Sequence, residues 1–324
     1  MKTLKLKSFC SKKFEPKQSV SNNYDTKADD LVHPLLLLNI GVRNTGKSYL
    51  TSTMVNQFMA DGIYNSVYVI CPTWVSNKCY YEKYVPEENV FMPFKGSILA
   101  VEERVIEECE EWEFFLNGLI EYEKSKNLDV NNLDDFQLFH LYEVGLLDDN
   151  CEIQRPVWKY PVERPPQSLV IMDDVLGSQA IGNELTRLST LSRHVAPIGV
   201  EHKLNRGRTA CGLSVIINSQ VYKMIGGLGS ALRQNITALV LFENKNPKAL
   251  KTIVEELASC VSEEDFYQAY NLAIKEKYDC LTVDFFPKDE KFRFRKNLNE
   301  LLIIEKKNDV KNEIEKLDKV SKSK

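Results

Sequence analysis

Gly41-Val42-Arg43-Asn44-Thr45-Gly46-Lys47-Ser48 is the stretch of this chain with the clearest chemical purpose. Its spacing, G-x-x-x-x-G-K-[ST], is that of a loop wrapped around a chain of phosphates. The glycines let the backbone approach phosphate oxygens closely, with N–H groups turned inward as donors. Lys47 can reach the β- and γ-phosphates of a nucleoside triphosphate, and the Ser48 hydroxyl can ligate Mg2+. An apolar run precedes the loop and a helical pattern follows it directly, so a helix dipole adds positive potential at the same place. The ligands read from this stretch are Mg2+ and ATP, or a close relative of ATP.

A phosphate loop of this kind needs an acid at the end of a neighbouring strand, holding the metal or its waters. Leu169-Val170-Ile171-Met172-Asp173-Asp174 supplies a pair. Asp173 is read as the metal residue. Asp174 is read as the group that polarises the attacking water, as a general base or by orienting it. A later apolar run ends in Asn218-Ser219-Gln220. In phosphate-loop ATPases with a strand added between the two motif strands, a polar residue there faces the γ-phosphate. Gln220 is the first choice for that sensor and Asn218 the second. Arg193 and Arg233 are the candidates for an arginine that completes the transition state from a neighbouring subunit. His194 and His202 have no metal-ligand spacing.

The elements that must position these groups are legible as patterns. Five short runs, Leu35–Asn39, Val67–Ile70, Leu169–Met172, Leu213–Ile217 and Ile236–Phe242, are apolar without alternation, which marks strands of a sheet covered on both faces. Tyr49–Ala60 has helical spacing and stops at Asp61-Gly62. Ser262-Glu263-Glu264-Asp265 reads as the start of a helix running towards Lys277. Between Glu102 and Asp149 fifteen acids stand against three basic residues, interleaved with Leu, Phe, Trp and Tyr. That composition predicts amphipathic helix within an acidic insertion over 98–166, either solvated or a docking surface for a basic partner. After Leu281 a hairpin is expected, turning at Pro287-Lys288-Asp289-Glu290. Its second strand would alternate Lys291, Arg293 and Arg295 with Phe292 and Phe294. Residues 1–30 read as a flexible polar arm, 31–305 as the ATPase domain and 306–324 as a basic tail.

Bulk properties narrow the classes. Hydrophobic content of 43% is enough for a core, and no run approaches the roughly 18 apolar residues of a membrane span. The first residues carry lysines but no apolar segment of a secretory signal. Eight cysteines without a C-x-x-C read as free thiols in a reducing compartment. A net charge of −4 means that contact with nucleic acid must use local basic patches.

Read together, GVRNTGKS, VYVICPTW with Asn77, SLVIMDD, LSRH, GLSVIINSQ, ALRQNITALVLF, SEEDFYQAY and LTVDFFPKD resemble the FtsK/HerA-type genome-packaging ATPases of large DNA viruses and virophages. The resemblance covers roughly residues 31 to 300. It implies an α/β P-loop NTPase fold of the added-strand, RecA/FtsK-like type: a mostly parallel central sheet flanked by helices, with the acidic helical insertion and the C-terminal β-hairpin appended. It also implies a ring-shaped homo-oligomer that drives double-stranded DNA into a viral capsid. The location would be the host cytoplasm, a viral factory or the virion. Two features depart from the family: Asp-Asp where many relatives have Asp-Glu, and an extra stretch, PIGVEHKLNRGRTAC. That stretch brings Arg206 and Arg208 into contention as the finger, and with Lys203 they can instead contact DNA phosphates. A regulatory GTPase is the alternative, since Asp174-Val175-Leu176-Gly177 spells D-x-x-G, but Pro247 stands where a guanine-reading aspartate belongs. A non-catalytic capsid–DNA adaptor is the third reading.

Overall fold

The computed structural model describes residues 22–304, apart from 28–29, 149, 176–178, 224–227 and 259, with no side chain described at 179 and 180. Residues 1–21 of the expected arm and the tail 306–324 lie outside the described residues.

In chain order the elements are β1 (Leu36–Ile40), α1 (Lys47–Ala60), β2 (Ser66–Ile70), α2 (Trp74–Tyr81), β3 (Val90–Phe91), α3 (Ser97–Ser125) and α4 (Asp135–Glu143). They continue with β4 (Ser168–Asp173), α5 (Gln179–Leu191), β5 (Leu213–Ser219), α6 (Ser230–Asn235), β6 (Ala238–Phe242), α7 (Pro247–Leu257), α8 (Glu263–Ala273), β7 (Cys280–Asp284), β8 (Phe294–Lys296) and β9 (Glu300–Leu301). All strands join one sheet in the order β3-β2-β4-β5-β1-β6-β7-β8-β9. Strands β1 to β6 pair in parallel, and β7, β8 and β9 pair antiparallel.

The unbroken apolar runs are explained by what covers the sheet. In β1, Leu36, Leu38 and Ile40 face one core, and Leu37 faces the other. In β4, Val170 and Met172 face the first core, with Leu169 and Ile171 in the second. Helices α3, α5, α7 and α8 bury their apolar residues in the first core, and α1 buries Met54, Val55 and Phe58 in the second. Each fully buried Leu, Ile or Val contributes about 1.5–3 kcal/mol, so neither side of these strands can turn to water.

The acidic stretch forms helix as its pattern predicts. The first half of α3 packs Ile98, Val101 and Val105 into the main core. Its second half builds a separate cluster of Trp112, Phe115, Leu116 and Leu119 with Trp158. The Trp112 indole N–H donates to Asn205 at 2.9 Å, which ties this helix to the loop before β5.

Three local expectations are corrected. In the arm, Asn22 and Tyr24 are buried against the body, with the Tyr24 hydroxyl donating to the Gly212 carbonyl at 3.2 Å. Helix α8 begins at its Ser262 cap as expected but ends at Ala273. The Asp279 carboxylate accepts from the N–H groups of Lys275 and Glu276, which diverts the backbone into a turn before Lys277. The hairpin after Leu281 forms, but residues 290–292 make a 3-10 turn and the second strand starts at Phe294. Lys291 and Arg293 are paired with Asp289 and Glu290, so the expected basic face is largely neutralised.

His33 is buried beside Tyr64, whose hydroxyl lies 2.5 Å from Nδ1. Burial, helped by the Lys288 charge, pulls its pKa from 6.5 down to about 3. The unfolded chain therefore takes up a proton below pH 6.5 that the folded chain refuses. The stability this residue leaves intact above pH 6.5 is lost as pH falls towards 3, at about 1.4 kcal/mol per pH unit. Urea midpoints measured from pH 7 to 4 are expected to fall less steeply for His33→Phe than for the parent. Parallel curves would refute the assignment.

Candidate nucleotide site

The turn from β1 into α1 wraps on itself because of two glycines. A Cβ at Gly41 would lie 2.5 Å from Thr45 Oγ1 and 3.0 Å from Phe242 Cβ, so only hydrogen fits there. Gly46 has φ 97, a left-handed conformation, and caps α1 without any side-chain hydrogen bond. No acidic residue lies in the first turn of α1. The positive end of the helix is thus left open to an anion.

Lys47, buried among the loop residues, donates from Nζ to the carbonyls of Gly41 at 2.7 Å and Val42 at 3.1 Å. Burial pulls its ammonium below the ordinary lysine range, and the negative charges of Asp174 and Asp173 oppose that shift.

The two halves of the motif meet at one oxygen. Ser48 Oγ donates to Asp173 Oδ2 at 2.9 Å, although 125 residues separate them in sequence. The Tyr81 hydroxyl donates to the same oxygen at 3.0 Å, and the Asn77 amide reaches it at 3.4 Å. Burial raises the Asp173 carboxyl above its ordinary value, countered by Ser48, Asn218 and Tyr81. Burial and the neighbouring Asp173 carboxylate push the Tyr81 phenol well above the usual range. A hydroxyl and a carboxylate side by side are hard oxygen donors of the kind Mg2+ takes alongside phosphate and water, so the residues present fit that ion.

Asp174 follows in a left-handed conformation, φ 53, with its carboxylate exposed to the cleft. The Gln220 amide donates to it at 3.3 Å. Asn218 sits two residues earlier and is fully buried, accepting from Asn39 and Thr51 at 2.9 Å each. Gln220 thus faces the cleft, while Asn218 ties β5 to β1 and α1. The strand added between β1 and β4 is β5 itself.

The arginines and the loop lysine fare differently. Arg193 is exposed in the turn after α5, at the end of the sheet where β5 begins, away from the phosphate loop. Arg233 is buried, clamped by Glu256 at 2.7 and 3.1 Å and packed over the Tyr222 ring. Its guanidinium is spent on holding α6 to α7, which corrects its reading as a finger. Arg208 is also buried, bonded to the Cys211 and Pro165 carbonyls with its guanidinium 4.6 Å from the Tyr24 ring centroid. Of the Lys203, Arg206 and Arg208 patch, only Lys203 and Arg206 reach the surface, and Arg206 is paired with Asp25 at 2.8 Å. The D-x-x-G stretch of the GTPase alternative ends at Leu176 and Gly177, outside the described residues.

Tyr81 had no sequence signal, since it is one aromatic among many. Asn39 had one: a polar residue inside an otherwise apolar strand, buried here against Asn218 and Thr51.

Sheet order, loop and paired acids together define the fold of a P-loop NTPase of the added-strand type. Among solved structures, the chain is similar to the genome packaging NTPase B204 from Sulfolobus turreted icosahedral virus 2. In its sulfate complex the match has 13% identity over 84% of this chain and 99% of that one, with a TM-score of 0.38. The complex with ATP-gammaS matches at 12% identity over 81% and 96%, with a TM-score of 0.35. The pCW3 conjugation coupling protein TcpA matches at 13% identity over 77% of this chain and 57% of its own, with a TM-score of 0.36. No protein-family model matches the sequence, and no curated protein is similar to it.

Proposed function

We propose that this chain is an ATP-hydrolysing motor that drives double-stranded DNA into a viral capsid as a ring-shaped homo-oligomer. The observation that carries the ATPase reading is the bond from Ser48 to Asp173, which joins the phosphate loop to an acid from a strand two places away in the sheet. The DNA-packaging part rests on the succession of sequence motifs from the phosphate loop to β7. Ser48 and Asp173 would hold Mg2+, which would supply positive charge against the phosphates. Lys47 and the α1 N-terminus bind and orient the triphosphate. Asp174 polarises the attacking water, and Gln220, hydrogen-bonded to Asp174, senses its state. The non-catalytic adaptor reading has no use for this assembled set. An ATPase assay with and without double-stranded DNA tests the proposal: stimulation by DNA is expected, and turnover indifferent to DNA would leave an ATPase without the motor.

Arg193 remains the candidate for acting across a subunit boundary. Mixing Lys47→Ala subunits, whose arginines are intact, into an Arg193→Ala variant is expected to restore part of the lost ATPase activity. Absence of rescue would remove Arg193 from that role.

A motor that tracks duplex DNA contacts phosphates rather than base edges. Lys203 and Arg206 are the surface cations of the loop before β5, and each phosphate they neutralise adds about −0.9 to the log–log salt slope of binding. The double variant Lys203→Ala/Arg206→Ala is expected to flatten that slope by up to about two units on two unrelated duplexes alike. An unchanged slope would clear this loop of DNA contact.

A further inference from the structure

The phosphate loop lies between two flanks of the sheet. On one flank β4 and β5 present Asp173, Asp174 and Gln220. On the other, β6 and the turn before β7 present Phe242 and Tyr278, and the same cleft runs across both flanks. A triphosphate whose terminal phosphate lies at Lys47 and the acids must send its nucleoside the opposite way, over Gly46 towards Tyr278. Gly46 has no side chain to obstruct that path, and the Tyr278 ring is 3.5 Å from where a Cβ on Gly46 would stand.

Tyr278 is an unusual residue for its place. It is 57% exposed, a large aromatic ring left open in the cleft. Its backbone is left-handed, φ 76, which bulky side chains rarely adopt. The neighbouring turn is held closed by Asp279, which accepts from Lys275 N at 3.1 Å and Glu276 N at 2.8 Å and pairs with Lys296 at 3.1 Å. Strain that surrounding bonds maintain, at a residue lining a cleft, is the arrangement found where backbone strain serves binding. The Lys277 ammonium lies over one face of the ring, 4.6 Å from its centroid, so a stacking ligand would use the opposite face.

We propose that Tyr278 is the base platform of this site, stacking on the purine of the bound nucleoside triphosphate. The inference rests on the nucleotide-binding reading and adds the residue that recognises the nucleoside rather than the phosphates. Stacking on an aromatic ring requires only a π-face, and purines offer the larger one.

The test compares binding of Mg-ATP and of inorganic tripolyphosphate with Mg2+, by titration calorimetry, for the full chain, Tyr278→Phe and Tyr278→Asn. Asparagine tolerates a left-handed backbone, so the turn is kept while the ring is lost. Tyr278→Asn is expected to weaken ATP binding about tenfold or more while leaving tripolyphosphate within about twofold, and Tyr278→Phe to keep ATP binding near the parent value. ATP binding unchanged in Tyr278→Asn would overturn the base platform. Equal loss of ATP and tripolyphosphate would overturn it too, because the residue would then be supporting the phosphate loop. A parent chain that binds neither ligand would instead overturn the nucleotide reading on which the platform depends.

Discussion

Lys47→Ala is expected to lower ATP hydrolysis by roughly 10²–10³-fold, or below detection, with the fold retained. The scale is that of removing a preorganised charged donor from a developing phosphoryl charge. The stability side of the prediction comes from what the side chain does in the protein. Its ammonium is buried, which opposes its charge, and it gains hydrogen bonds to the carbonyls of Gly41 and Val42. Losing both the burial penalty and the bonds leaves a net change of about 1 kcal/mol in either direction. Steady-state ATPase rates beside thermal melts check it. Near-parent turnover in a variant with an unchanged melt would end the assignment of this loop as the phosphate site.

The two acids are expected to separate by function. Asp174→Asn should retain Mg-ATP binding and hydrolyse roughly 10²-fold more slowly or worse, the usual scale for a lost base or water-orienting group. Asp173→Asn should weaken the Mg2+-dependent part of nucleotide binding, since its Oδ2 is where Ser48, Tyr81 and Asn77 converge. Binding in the presence of Mg2+ or of chelator, followed by single-turnover rates, distinguishes them. Exchanged phenotypes would invert the roles. A thermodynamic consequence accompanies the second variant. Because burial raises the Asp173 carboxyl, the folded chain keeps its proton to higher pH than the unfolded chain does. Ionisation therefore costs stability as pH rises above the ordinary aspartate value. Asparagine has no such cost, so Asp173→Asn should be at least as stable as the parent near neutral pH and lose that advantage in acid.

Several features were legible in the residues because they depend on neighbours in sequence. The G-x-x-x-x-G-K-S spacing needs only one strand end, one turn and one helix start, all within Leu36 to Ala60. Strand identity was legible because Leu36–Ile40 and Ser168–Asp173 are buried on both faces, and double burial leaves an unbroken apolar run. The Ser262 cap of α8 is equally local, a side chain bonding to a backbone N–H three residues on. What failed was length and availability. The pattern carried α8 to Lys277 because nothing in the run itself announces that Asp279 will fold back on the N–H groups of Lys275 and Glu276.

The charged residues mark the boundary most clearly. In sequence Arg193, Arg206, Arg208 and Arg233 are equivalent cations placed after the second acid. In the folded chain Arg233 is consumed by Glu256 and Tyr222, Arg208 by backbone carbonyls and Tyr24, Arg206 is paired at the surface, and Arg193 is exposed. A guanidinium's role is set by which partners distant parts of the chain bring to it, and no periodicity encodes that. The same holds for the nucleotide site. By itself the sequence determined that the chain has a phosphate loop, paired acids and a doubly covered sheet, since each follows from residue type and short spacing. Only the tertiary structure decided that Ser48 and Asp173 meet at 2.9 Å, that Gln220 rather than Asn218 faces the cleft, that Tyr81 bonds Asp173 and that Tyr278 lines the same cleft. Those placements depend on the order of strands in the sheet, and strand order is chosen by packing across the whole domain rather than by any local run of residues.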